Sequence, residues 1–196
     1  PHRFIHASGH LLLVHLGHWA YCLDLAERKE RWQYNLLGEM AGGTTAPQAD
    51  VGAEGETVLK YEDGFIITLG RAAVMQPGYV CLLTRDELVA LDPLTGRKLW
   101  ARRNVSARTQ VYGDSKYVLL VESGADKKIA ATRLLRAVDG APVDGFKDFT
   151  KSLATAKSYR VFGRHLLLTE GTGDAPKVAR LYDTVTGTDV WKKEFD

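Results

Sequence analysis

Short apolar runs, each cut off by Gly, Asp or Ser, recur along the whole chain. Runs of this length, rich in Val, Leu and aromatics and bounded by turn formers, predict β-strands. Leu11-Leu12-Leu13-Val14, Val118-Leu119-Leu120-Val121 and Leu166-Leu167-Leu168 are continuously apolar, which predicts strands covered on both faces. Alone, such a run fits buried helix equally well, and the turn residues on either side decide for strand. The pattern falls into four units of four short strands. The first has strands over 3–7, 11–16, 19–25 and 31–36, and the second over 72–75, 79–84, 87–91 and 98–102. The third has 109–112, 117–122, 129–135 and an ill-defined last strand near 143–149. The fourth has 158–162, 165–169, 178–182 and 189–195.

Between the third and fourth strands of each unit the punctuation keeps a fixed spacing. Its fullest copy is Ala90-Leu91-Asp92-Pro93-Leu94-Thr95-Gly96-Arg97-Lys98-Leu99-Trp100. A second is Asp183-Thr184-Val185-Thr186-Gly187-Thr188-Asp189-Val190-Trp191, and Asp24 reaches Trp32 across the same eight-residue step. A worn copy runs from Arg136 to Asp144, with Asp139-Gly140 in place of Thr-Gly. Asp92 suits the start of such a hairpin because its carboxylate can accept from backbone N–H groups just ahead of it. Pro93 presets a negative φ, and Gly96 can take the left-handed conformation. Trp100 offers a wide apolar face and one N–H donor. The expected role of the unit is structural: each Trp docks against the neighbouring sheet, and units must stack to bury a core.

The copies are unevenly spaced. Asp24 lies 68 residues before Asp92, whereas the next two intervals are 44 and 47 residues. The first interval therefore carries an insertion over about 41–69. It opens with a loop from Ala41 to Asp50 and continues as a hairpin, Thr57 to Tyr61 and Phe65 to Leu69, about Glu62-Asp63-Gly64. Insertions in repeats map to loops on one face, often the binding face.

The pattern Ala-x-Asp-x-x-Thr-Gly-x-x-x-Trp, complete at Ala90 to Trp100, resembles the tryptophan-docking repeat of quinoprotein-type (PQQ-like) β-propellers. The resemblance covers nearly the whole chain, weakly in the first and third units. Leu181 stands for the motif Ala in the fourth unit, and Cys22 with Glu27-Arg28 replaces Ala and Thr-Gly in the first. The resemblance implies an all-β propeller segment of four four-stranded blades, at about 1–40, 70–105, 106–150 and 155–196. Such propellers commonly have more blades, so the chain is expected to be a segment of a longer protein, or two copies pair. A closed four-blade ring ranks lower because its usual closing disulfide is not visible.

The family holds both PQQ-dependent dehydrogenases and non-enzymatic assembly scaffolds. The enzymes bind a quinone over a Trp, with Ca²⁺ held by Glu, Asn and Asp and often a pair of adjacent cysteines. This chain has no Cys-Cys pair and only two Asn, Asn35 and Asn104. No catalytic, cofactor-binding or metal-binding residue is assigned. The expected site residues are the structural ones: Asp24, Trp32, Ala90, Asp92, Thr95, Gly96, Trp100, Asp183, Thr186, Gly187 and Trp191. The expected function is a non-catalytic scaffold for an unidentified protein partner, with 41–69 as its most distinctive surface. The alternatives are part of a PQQ-dependent dehydrogenase with its ligands elsewhere, and a ligand-sensing propeller fused to a signalling domain. Open blade faces would also favour self-association. An extracytoplasmic or cell-envelope location is what the resemblance alone favours.

Composition adds little. The 196 residues are 45% hydrophobic and 26% charged, ordinary globular proportions. A net charge of +2 is too small to imply a nucleic-acid face. No apolar run approaches the roughly 20 residues a membrane helix needs. Cys22 and Cys81 lie in apolar strands at similar places in different repeats, which predicts buried free thiols. His10 and His165 share a slot at the start of the second strand, held by Tyr79 and Tyr117 in the other units. His15 and His18 flank Gly17, but no carboxylate motif completes a metal site with them. Gly171-Thr172-Gly173-Asp174 is a strand connection rather than a phosphate loop, because no helix follows it.

Overall fold

A computed structural model describes residues 4–36, 48–51, 57–60, 66–70, 72–84, 87–106, 109–124, 128–171 and 177–195. Among the described residues the fold is all-β apart from one short helix, and every sheet is an antiparallel meander of sequential strands. The chain forms two compact units, Pro1–Arg108 and Thr109–Asp196. No helix among the described residues is long and apolar enough to cross a membrane.

The first unit contains two blade-like sheets. One is β1 (Phe4–Ser8), β2 (Leu11–Leu16), β3 (Trp19–Asp24) and β4 (Lys29–Asn35). After it come β5 (Gln48–Val51), β6 (Thr57–Lys60) and β7 (Ile66–Gly70), a three-stranded sheet of their own. The second blade is β8 (Ala72–Gln76), β9 (Tyr79–Leu83), β10 (Glu87–Leu91) and β11 (Lys98–Arg103). Leu11, Leu13, Ala20, Cys22 and Trp32 of the first blade share one core with Met75, Val80, Leu82, Val89 and Leu91 of the second. Burying apolar area at about 25 cal/mol per Å² is what holds two such faces together.

The second unit contains β12 (Gln110–Gly113), β13 (Tyr117–Ser123) and β14 (Ile129–Arg136), then helix α1 (Thr150–Thr155). Its other blade is β15 (Ser158–Phe162), β16 (His165–Glu170), β17 (Val178–Asp183) and β18 (Thr188–Glu194). Leu119, Val121 and Leu134 pack with Phe149, Leu153, Leu166 and Leu168.

Three expectations change. The third blade has three strands, because its fourth ends after a single bridge between Leu135 and Pro142. Pro142 has no N–H to continue the ladder. Val143 N–H still reaches the Leu134 carbonyl at 2.9 Å, after which the chain turns away at Gly145, φ 73°, toward α1. Phe149 and Leu153 bury themselves in the core beside β14, and Asp148 ties this segment to the sheet. Its Oδ1 accepts from Thr132 Oγ1 at 2.6 Å and from Thr150 N–H at 2.9 Å. Burial raises the Asp148 pKa, but these hydroxyl and amide donors outweigh it and hold the carboxyl below its ordinary range.

The insertion also differs. Gln48 to Asp50, expected in a loop, belong to β5, so β6 and β7 gain a third strand. The Glu62-Asp63-Gly64 turn lies outside the described residues. Lastly, two of the continuous apolar runs are covered on one face only. All of β9 is buried, and so are Val118 to Val121 of β13. In β2 and β16 burial alternates, leaving Leu12, Val14 and Leu167 half-exposed.

Candidate functional site

The Asp of each turn does the same local work. Asp92 Oδ1 accepts from the N–H groups of Leu94 and Thr95 at 2.9 and 2.8 Å, and from Thr95 Oγ1 at 3.0 Å. Asp24 Oδ1 takes Ala26 and Glu27 N–H at 3.0 and 2.9 Å. Asp183 Oδ1 takes Val185 and Thr186 N–H at 2.9 and 3.4 Å. The turn then closes through its own backbone. Gly96 N–H donates to the Asp92 carbonyl and Gly187 N–H to that of Asp183, both at 2.9 Å. The worn copy keeps this bond, from Gly140 N–H to the Arg136 carbonyl at 2.8 Å, although Arg136 has replaced the Asp. Gly96, Gly140 and Gly187 have φ of 68°, 65° and 71°, a region L side chains rarely adopt. Thr95 Oγ1 also receives Arg97 N–H at 3.3 Å, and Thr186 Oγ1 lies 2.9 Å from Thr188 Oγ1.

Register then places the tryptophans identically. Trp32 stands opposite Cys22, Trp100 opposite Ala90 and Trp191 opposite Leu181, each just before a ladder irregularity. The motif Ala is thus the residue across the ladder from the Trp. Trp32 is buried, and its indole N–H donates to the Pro93 carbonyl of the second blade's turn at 2.8 Å. The Cys22 thiol donates to the same carbonyl at 3.4 Å. The Trp32 ring lies against Gly96 so closely that a Cβ there would fall 2.6 Å from Cγ and 2.8 Å from Cβ of Trp32. Gly96 is therefore required twice, for its φ and for the space. Trp100 is also buried, whereas Trp191 is 43% exposed on the outer strand of the fourth blade.

Several participants were not legible as such. Pro93 matters through its carbonyl as well as its ring. In the third blade no Trp stands at the motif position, and the aliphatic stem of Lys147 lies against the fourth blade's turn instead. A Cβ at Gly187 would come within 2.9 Å of Lys147 Cδ. In the first blade Arg28 occupies the turn's left-handed position at φ 54°. Its place four residues after Asp24 was the available signal.

The turn carboxylates carry ionic partners that vary between blades. Arg31 reaches Asp24 Oδ2 through Nε at 2.9 Å and Nη2 at 2.6 Å, with His10 Nε2 3.5 Å away. The Glu27 backbone N–H, then Arg31 and His10, hold the Asp24 carboxyl below the ordinary carboxylate range, against burial. At Asp183 the partner is Arg164 at 2.9 Å, with His165 at 3.8 Å. Register corrects the expected slot: His165 faces Asp183 as Leu11 faces Asp24, so His10 precedes the equivalent position by one residue. Tyr79 stands one pair beyond Val80–Leu91, and Tyr117 faces Arg136.

The two cysteines occupy the same cross-strand row but different strands, β3 and β9. Both are free and buried. Burial, then the nearby Asp24 charge, pushes the Cys22 thiol up to about 11, and burial alone raises Cys81. His15 is buried on β2, and desolvation lowers its pKa despite a backbone hydrogen bond at Gly17. His18 instead tilts against Trp19 with ring centroids 5.4 Å apart.

Among the described residues no three His, Cys, Asp or Glu side chains converge to hold a metal. Asn35 ends β4 opposite Trp19, and Asn104 takes φ 59° just after β11. The residues whose contacts are set out above are those of the turns and the tryptophans they meet. Their shared chemistry is that of turn closure and blade-to-turn contact.

Solved structures share this fold. A quinohemoprotein alcohol dehydrogenase from Comamonas testosteroni matches 97% of this chain and 34% of its own, with TM-score 0.54 and 12% identity. A europium-containing methanol dehydrogenase matches 95% of this chain and 40% of its own, with TM-score 0.52 and 13% identity. BamB from Moraxella catarrhalis covers 97% of this chain and 47% of its own at 18% identity, with TM-score 0.47. The chain therefore spans less than half the length of each. At these identities the likeness concerns the fold alone, that of β-propeller blades. No family model matches the chain, and no curated protein matches it.

Proposed function

We propose that this chain is a non-catalytic scaffold for protein interaction, built from propeller blades whose Asp–Gly turns and tryptophans clamp neighbouring blades. One observation carries the proposal: every residue of the fourth blade's outer strand, β18, is exposed, including Val190 and Trp191. A strand with unpaired backbone groups and large apolar side chains is a template for pairing with another chain. Trp32 supports the clamp role, since its one donor and its ring are both spent on the next blade's turn. The insertion with β5, β6 and β7 supplies a second surface.

Photo-crosslinking from position 192 on β18, in the cells that make the protein, tests this. A discrete protein adduct, weakened by deleting 42–68, is expected. Adducts no different from those at position 97, on a turn far from β18 in sequence, would overturn it. Titration with PQQ and Ca²⁺ should leave the absorbance spectrum unchanged; quinone binding with dye reduction by an alcohol would replace the scaffold with an enzyme.

A further inference from the structure

Of the outer strands β4, β11 and β18, only β11 carries cations without acids. Its six residues, Lys98-Leu99-Trp100-Ala101-Arg102-Arg103, follow Arg97 of the turn, so four positive side chains lie within seven positions. On β4 the charges are matched: Lys29 pairs with Glu27, and Arg31 reaches Asp24 at 2.6 Å. On β18 Lys192 pairs with Glu194 at 3.1 Å, and Asp189 lies 3.7 Å from Arg180. Lys98 and Arg103 of β11 are exposed and belong to no ion pair among the described residues. Arg102 is half-buried, and its Nη1 donates to the Ala101 carbonyl at 3.3 Å. Glu87 stands across the ladder from Arg103, and the Oδ1 of Asp92 already accepts from Leu94 and Thr95 N–H.

β11 also ends its sheet. The strand order is β11-β10-β9-β8, and among the described residues no strand pairs beyond it. An edge strand presents a row of N–H and C=O groups to any further strand. This edge is held in place from behind: Trp100 is buried opposite Ala90, and Ala101 packs against the core shared with the first blade. A template fixed before binding loses less freedom on binding. We propose that the β11 edge is a docking site for an extended acidic segment of a partner protein, which joins the sheet as a further strand. Backbone hydrogen bonds hold the added strand, and carboxylates along it meet Lys98, Arg102 and Arg103. Charge on an edge also keeps unwanted strands away, and lysine is common there for that reason. Mixed charges serve that end equally, as on β4 and β18. Charge of one sign does more, because it repels basic strands and attracts acidic ones. Nucleic acid and anionic membranes match the charge, but neither supplies the N–H and C=O ladder that a sheet edge pairs with.

A fluorescein-labelled peptide of about eight residues, alternating Glu with Val and Thr, is the probe, titrated with the purified chain and followed by fluorescence anisotropy. Saturable binding is expected at low salt, and Lys98→Gln/Arg103→Gln should weaken it roughly tenfold. Lys116→Gln/Arg160→Gln removes the same charge from exposed positions in the second unit and should bind as the wild type does. All four substituted side chains are on the surface, so far-UV circular dichroism should not change. A second probe needs no variant: the same peptide with its internal backbone nitrogens methylated keeps its charge and loses its ladder donors. It should bind the wild type roughly tenfold more weakly. No binding of the acidic peptide would overturn the proposal and leave the cations as guards of the edge. Undiminished binding by Lys98→Gln/Arg103→Gln would overturn it too. So would equal binding of the methylated peptide, which would mark a site for any polyanion, a nucleic acid or a membrane surface included. β11 is not the crosslinked strand and the assay uses the purified chain, so a failure here leaves the proposed role of β18 standing, and the reverse.

Discussion

Replacing Gly96 with alanine isolates the Trp32–Gly96 contact on which the proposed blade clamp rests. Two costs are expected. The first is conformational: φ of 68° puts an L side chain in the left-handed region, at roughly 1–2 kcal/mol. The second is steric, because the new Cβ would lie 2.6, 2.8 and 3.0 Å from Cγ, Cβ and Cδ2 of Trp32. Those are the root atoms of a buried ring hydrogen-bonded to Pro93, so the ring cannot simply swing aside. Overpacking of this kind costs about 1–3 kcal/mol, giving about 2–5 kcal/mol in total. Gly9 is the control. Its φ is 59°, but nothing lies within 4 Å of the position its Cβ would take. Gly9→Ala should therefore lose only the conformational part, about 1–2 kcal/mol. Urea titration of both variants, followed by circular dichroism, measures the difference. In a Trp32→Gly background, which removes the Cβ as well as the ring, the steric part should vanish, so Gly96→Ala and Gly9→Ala should converge. Equal losses from the two glycines in the wild-type background would refute the steric contact.

Further outcomes follow from the ionic and buried groups. Asp24 has a native pKa below its unfolded value, so its contribution is present above about pH 4. It is lost as pH falls through the lower native pKa, so the melting temperatures of wild type and Asp24→Asn should converge at acid pH; a gap that persists unchanged below pH 3 would contradict this. Cys22, with its thiol pushed up to about 11, and buried Cys81 should resist a thiol-specific reagent at pH 8 until the protein is unfolded. Prompt native labelling of either would be the contrary result. Asp148→Ala removes the acceptor of Thr132 and of the Thr150 N–H and should cost about 1–3 kcal/mol in the same urea assay. A loss under half a kcal/mol, about the level of an unremarkable surface change, would show that these bonds do not hold α1 to the sheet.

Turns were legible because their constraints are local. Asp92 must accept from the next few N–H groups, and Gly96 must take a positive φ, so residue type and spacing record the geometry directly. The same held for strand order, since sequential runs joined by tight turns can only meander. The third blade was less legible because its fourth strand ends on one missing N–H, at Pro142, and its core is completed from a helix. β5 was missed because turn-rich residues precede it, and its pairing with β6 is a tertiary choice. Sequence thus determined the repeated turn, the row on which each tryptophan lies and the all-β class. Tertiary structure decided what covers each row: the Pro93 carbonyl and Gly96 over Trp32, Lys147 over Gly187, and open surface over Trp191. Strand period fixes the face a side chain points to, but what opposes that face comes from another sheet, and no local rule encodes it.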